Sequence, residues 1–400
     1  MLSAALVHRD GNRLRLSPSV HHLTDLLDRS PEQVLEAFQR SQVDDFGAVV
    51  AQMGAAGEPL ARFFTELRAL VPTDHAFARL PYLQPVALNR LFLDLHDHVM
   101  SHPVWLHPFF TRFFRAEFDA AQLGAWSLHY FNQIKNTRQC VALAIGRFHG
   151  LMGLPYGVLN ERLSEITQVV LAQLVADEYG VGMHSVDDYP SLAALFDART
   201  HIGMYRQLLD GLGIPFVGQD VPLLPEVADN VLIQRLVAGD PEFSPLEALA
   251  SVGLGMEWGV PEFFSLLLGG VLRFAEREPV DLTPEHLVVL TAHVKYDVLH
   301  ALSVMLATAL HIQDDGDVAV VKNATNMLMA GRYGMMSGLY RHVFGEPCPS
   351  LHEIGLAPRH RVADRRIEQA LRRARREAAP GCVIGADVWR DKAEMPFVFG

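Results

Sequence analysis

His293, Asp297 and His300 stand at i, i+4 and i+7 in the stretch Asp281 to Leu310, which is otherwise mostly apolar. At about 100° per residue the three stay within roughly 60° of one another on one helix face. Burying two imidazoles and a carboxylate in an apolar helix is costly unless something binds them. A metal ion is the simplest partner, because imidazole and carboxylate are ligands of iron, manganese and zinc. Three further residues have the right type. Glu257 is the only charged residue between Ala248 and Val260, Glu178 closes a helical stretch beside Asp177, and His201 opens the next one in an apolar context. Six protein ligands on one metal would leave no room for chemistry, whereas two metals sharing three imidazoles and three carboxylates keep open positions. The donor set favours iron or manganese; zinc more often brings cysteine or a closed four-ligand cage. Two ferrous ions can each give an electron to O2, which defines an oxidative reaction class. Competing readings exist for each residue alone. A single buried histidine is usually a satisfied core residue, Glu257 has Arg273 or Arg206 as alternative partners, and Glu178 beside Gly180 fits an ordinary exposed helix end.

The elements that must position these groups read as helices. Thr283 as N-cap, Pro284 at the first position and Glu285 in the first turn open a helix running to about Leu310. A helix over Leu159 to Tyr179 stops at Gly180 and Gly182, a polar stretch Val181 to Thr200 follows, and a helix from His201 closes at Gly211 to Gly213. Ser244-Pro245-Leu246-Glu247 is a capping box whose helix reaches Glu257, with Val260-Pro261 as an interruption and Phe263 to Phe274 as its continuation. An acidic turn, Gln313 to Asp317, leads into a helix over Ala319 to Phe344. Upstream, His102 to Phe118 carries many aromatics. Gln122 to Leu151 is helical, with Trp126, Tyr130, Ile134 and Leu143 as core positions and the amides Asn132, Gln133, Asn136 and Gln139 on a hydrogen-bonded or solvated face.

Residues 1–95 read as a helical extension for packing or dimerisation, with helices opened by Ser30-Pro31-Glu32-Gln33 and over Pro59 to Leu70; Pro81 to Leu95 reads as a linker and a short helix. Residues 96–345 form the main domain. Residues 346–400 form a tail in which Arg359 to Arg376 holds eight arginines. Ile367, Leu371, Ala374 and Ala378 make this an amphipathic helix with a basic, solvated outer face. No strand pattern, internal repeat, P-loop, dinucleotide fingerprint or GxSxG elbow is present, so the expected class is all-α.

The 400 residues are half hydrophobic and carry a net charge of −12, which argues against a general nucleic-acid binder. Cys140, Cys348 and Cys382 are far apart and form no CxxC, which fits a reducing cytoplasm. The N-terminus lacks a signal-peptide pattern, and the longest apolar stretch, Phe263 to Leu272, is too short to span a bilayer. A cytoplasmic protein without nucleic-acid or membrane partners is expected.

In their order along the chain, these residues resemble the haem-oxygenase-like diiron oxidases and oxygenases, the iron-containing redox enzymes, which share a fold with thiaminase II and pyrroloquinoline-quinone synthase. The resemblance covers about His102 to Leu310. It rests on Asp177-Glu178-Tyr179-Gly180, on the helix from His201 to Gly213 with Tyr205 and Leu208, on Glu257 before Val260-Pro261, and on the HxxxDxxH of His293, Asp297 and His300. The separations, 56 residues from His201 to Glu257 and 36 from Glu257 to His293, also match. The resemblance implies a seven-helix bundle holding two Fe(II) ions and no haem. It implies O2-dependent oxidation of a small amine, amino acid or carboxylic acid, by N-oxygenation or oxidative C–C cleavage, often in natural-product biosynthesis. The six residues would be the metal ligands, with no catalytic side chain beyond them. Gln133, Tyr205 and Tyr296 would face the substrate. An external electron donor and a homodimer are compatible with it. The 23-residue gap from Glu178 to His201 is longer than the family usually shows, and His184 within it is the alternative to His201 as a ligand. Two other readings stay open: a metal-free or single-metal member of the same fold, as in thiaminase II, and a non-enzymatic helical binding protein using its basic tail.

Overall fold

The structure is a computed structural model that describes residues 7–10, 13–16, 26–40, 80–149, 160–180, 200–215, 223–377 and 395–400. The described residues are all-α in architecture, with one addition: an antiparallel hairpin of β1 (Val7–Asp10) and β2 (Arg13–Leu16), in which Val7 faces Leu16 and Asp10 faces Arg13. No strand was expected. Four-residue strands are too short to show alternation, and the signal lies instead in the Gly11-Asn12 dipeptide between them.

The helices are α1 (residues 31–40), α2 (Pro85–Met100), α3 (Pro108–Phe114), α4 (Ala120–Ile145), α5 (Asn160–Tyr179), α6 (His201–Gly211), α7 (Pro225–Gly239), α8 (Pro245–Ala250), α9 (Val260–Arg277), α10 (Val288–His311), α11 (Asp315–Phe344) and α12 (Arg366–Glu377). Both expected capping boxes form: Ser30 with Gln33, and Ser244 with Glu247. A third, Asp119 with Gln122, opens α4. The expected helix at Pro59 to Leu70 lies outside the described residues.

Three helices carry most of the site. α10 packs along α9 and against α5 and α6, and α11 packs along α7. α10 begins at Val288 rather than at Thr283. The preceding turn is held by i to i−3 bonds, Leu287 to Pro284 and Val288 to Glu285, and the Thr283 N–H donates to His286 Nδ1, so the α-helical ladder starts later. Leu143 was an expected core position, but it is 38% exposed at the C-terminal end of α4.

Two regions at the flanks join the same core. α2 runs across residue 95 and buries Leu88, Leu91, Phe92 and Leu95 in the main apolar cluster. In the tail, Leu356, Val362, Ile367 and Leu371 belong to that cluster as well. The basic face of α12 is not simply solvated. Arg366 pairs with Glu247, Arg373 with Asp240 and Glu242, and Arg375 with Asp229, which fastens α12 to α7 and α8. No helix among the described residues is long and apolar enough to cross a membrane.

Candidate metal centre

Glu257 owes its position to a break in the helix. After α8 the chain widens into a π-helical segment, Ser251–Glu257, in which the Trp258 N–H donates to the Gly253 carbonyl at 2.9 Å. Segments of this kind are inserted turns that re-aim side chains, and they recur at functional sites. Glycine lets two helices close on it: a Cβ at Gly255 would sit 2.2 Å from Leu328 of α11. Gly259 then takes a φ of +77° with the Trp105 ring against it, which only glycine satisfies without strain, and Val260-Pro261 restarts the helix as α9.

Glu178 is on the last turn of α5, just before Gly180 with its φ of +62°. His201 is the first residue of α6, whose N-cap Thr200 accepts the Gly203 N–H. His293, Asp297 and His300 share one face of α10, as their spacing requires.

The six residues form two groups. Glu178, His201 and His293 place ligand atoms within 4.8 Å of one another, and so do Glu257, Asp297 and His300. Five of the six are buried and His300 is partly so. Asp297 stands between the groups: its Oδ2 is 3.9 Å from His293 Nε2 and its Oδ1 3.3 Å from His300 Nδ1. His300 Nδ1 is also 4.0 Å from Glu257 Oε2.

The imidazoles are oriented from behind. His293 Nδ1 lies 2.5 Å from the Val289 carbonyl. A carbonyl only accepts, so Nδ1 carries the proton and Nε2 presents a lone pair. His300 Nε2 donates to Asp177 Oδ2 at 3.1 Å, which turns its Nδ1 towards Asp297 and Glu257. Carboxylate or carbonyl support of this kind fixes metal-binding histidines. The His293 ring is also stacked on Phe264 at 4.1 Å and lies 4.5 Å from the His201 ring.

Two nitrogens test whether a metal fits. His201 Nδ1 is 2.9 Å from Glu178 Oε1 but off the line of a hydrogen bond, and both it and His300 Nδ1 are buried with no hydrogen-bond partner. Imidazole nitrogens that converge near carboxylate oxygens without bonding to them suit a shared cation. The donor set, three carboxylates and three imidazoles, matches iron or manganese. The alternative partner Arg273 goes elsewhere: it lies over the Phe114 ring and donates to the Phe114 and Leu27 carbonyls.

The electrostatics reflect crowding. Burial, with Asp297 adding to it, pushes Glu257 up to about 8. Burial opposes charge on His300, but the Asp177, Asp297 and Glu257 carboxylates around it outweigh that and raise it to about 11, so a metal would have to displace its Nδ1 proton. Burial lowers His293 below its ordinary value. Burial would raise Glu178, yet the His201 imidazole wins and leaves the carboxyl low.

A cavity beside the cage is lined by Glu178, His201, Glu257 and His293, by Gln133 and Arg332, and by apolar and aromatic side chains. Gln133 was expected there. Its amide is already engaged, donating to Gln234 and accepting from Asn230, and Asn136 joins the same network. Tyr205 and Tyr296 do not line the cavity. Tyr205 is buried with its hydroxyl donating to the Ser127 carbonyl at 3.0 Å, and Tyr296 packs half-buried against the core with Lys295 over its ring. A buried tyrosine hydroxyl needs an acceptor, and here a backbone carbonyl supplies it. His184 lies outside the described residues. Asp177 and Arg332 were not foreseen. Arg332 is the only charged residue between Lys322 and Arg341, the same signal that marked Glu257. No protein-family model matches the chain, and no curated protein matches it.

Proposed function

We propose that this chain is a non-haem diiron oxygenase or oxidase of the haem-oxygenase-like kind, using two Fe(II) ions and O2 to oxidise a small amine, amino acid or carboxylic acid. The observation that carries the reading is the pair of adjacent triads, buried apart from the partly buried His300, with Asp297 of one standing 3.9 Å from His293 of the other and the Nδ1 atoms of His201 and His300 left without hydrogen-bond partners. Glu178, His201 and His293 would hold one metal, and Glu257, Asp297 and His300 the other. When bound, ferrous ions supply electrons to O2 and set the potential of the oxidation.

The chain's own residues do the rest. Asp177 and the Val289 carbonyl hold protons on the outer nitrogens of His300 and His293, so the inner nitrogens face into the cage. Phe264 keeps the His293 ring from turning. Ile134, Met256, Val260 and Phe263 wall the cavity with apolar groups that exclude bulk water, which favours oxidation of a bound organic molecule over loss of reactive oxygen to solvent.

Anaerobic loading with Fe(II) should reach about two irons per chain, the count of a two-metal site. Mixing with O2 should then give a transient visible absorption whose lifetime changes with candidate substrates. No transient in fully loaded protein would overturn the reading. A chain that takes up no metal would point instead to a metal-free member of the fold.

A further inference from the structure

Arg332, on α11, lines the same cavity as the cage and is 9% exposed. Its described contacts are few. Nη2 donates to the carbonyls of Gly255 at 2.9 Å and Met256 at 3.3 Å, and the guanidinium lies over the Trp105 ring, 5.4 Å from its centroid. Nη1 is buried and has no partner. No described carboxylate forms an ion pair with this group. Burial pulls the guanidinium below its ordinary value, and Glu257 and Tyr130 act on it only through space. A cation kept out of water without a counter-ion is costly, so something is missing beside it.

We propose that Arg332 Nη1 anchors a carboxylate of the substrate, which makes the substrate a monocarboxylate with an apolar body. The proposal deepens the reading above only in taking this cavity as the substrate site. The geometry selects the charge. Nη2 is committed to the two carbonyls, Nη1 is a buried donor without a partner, and one guanidinium matches one carboxylate. Ile134, Val260, Phe263 and Met335 offer the apolar surface for the rest of the molecule. Arg332 and the cage line one cavity, so a molecule held at its carboxylate presents its carbon chain to the metal ligands.

The test compares hexanoate with its neutral isostere hexanamide, by calorimetry and by tryptophan fluorescence, which Trp105 beneath the guanidinium should report. Both are titrated into the full-length chain, metal-free and after addition of Co(II). Hexanoate should bind at least about tenfold more tightly than hexanamide in one or both states, the size expected of a charge-assisted hydrogen bond. Arg332→Gln should abolish that preference, and Arg332→Lys should restore part of it. Equal affinity for the two ligands in both states overturns the proposal. So does a hexanoate preference that survives Arg332→Gln together with a change in the Co(II) spectrum, because the metal is then the anchor. Should Arg332→Gln fail to fold for want of its bonds to Gly255 and Met256, the wild-type ranking and Arg332→Lys still decide. Failure to take up Co(II) with the hexanoate preference intact would sink the diiron reading and leave this one standing.

Discussion

The acid–histidine cage and the Asp229–Arg375 pair both hold ionisable groups out of water, and they differ in how complete they are. In the pair, Arg375 Nε meets Asp229 Oδ1 at 2.8 Å and Nη2 meets Oδ2 at 2.5 Å, and each side chain is 8% exposed. The fork closes on the carboxylate, and the pair joins α12 to α7. In the cage, three carboxylates crowd together, Glu257 is pushed up to about 8, and two imidazole nitrogens face carboxylate oxygens without bonding to them. Buried charge by itself therefore does not mark a site. What separates the two regions is whether the donors and lone pairs are used up within the chain.

That difference can be broken by mutation. The largest effect should come from Glu257→Gln, which is isosteric with the protonated acid. Affinity for Fe(II) or Co(II) should fall by more than about a hundredfold, beyond the range seen when only a supporting group is lost. The melting temperature of the metal-free chain should hold or rise, because a crowded carboxyl is gone. If the metal-free chain melts far earlier, the cage is structural and the contrast fails. Arg375→Ala should behave in the opposite way. It removes the guanidinium that forks onto the buried Asp229 and should cost about 3–5 kcal/mol in denaturant unfolding, with metal uptake per folded chain unchanged. Asp177→Asn should lie between these. The loss of its charge behind His300 should weaken metal binding about 10- to 100-fold, measured by competition with a chelator, with little change in stability.

The contrast also explains what was legible in the sequence. Glu257, His293, Asp297 and His300 stood out because each is a polar group in an apolar helix, and three share a helical spacing. The all-α class followed from the same periodicity. Arg332 obeys the rule that found Glu257, and applying it to α11 would have found it. Asp177 gave a weaker signal, since a half-exposed acid at a helix end looks like any other. The arginines of α12 read as solvated because their partners, Glu247, Asp240, Glu242 and Asp229, are more than a hundred positions away and no local pattern announces them. The start of α10 was missed for a similar reason: His286 takes the Thr283 N–H, a competition that capping statistics do not register.

Tyr205 gives the smallest and sharpest test. By its place in the helix after His201 it should face the substrate, yet its hydroxyl donates to the Ser127 carbonyl on α4 and it does not line the cavity. In that position it resembles the Asp229–Arg375 pair, a polar group whose needs are met within the chain, and not the cage a few residues away. Tyr205→Phe should therefore cost about 1 kcal/mol in chemical denaturation, the net worth of one buried hydrogen bond with its acceptor left unpaired. Metal stoichiometry and the ranking of hexanoate over hexanamide should not move. A shift in either ligand or metal binding, at equal or greater stability, would place Tyr205 among the groups that face the substrate and would redraw the boundary between the completed core and the open site.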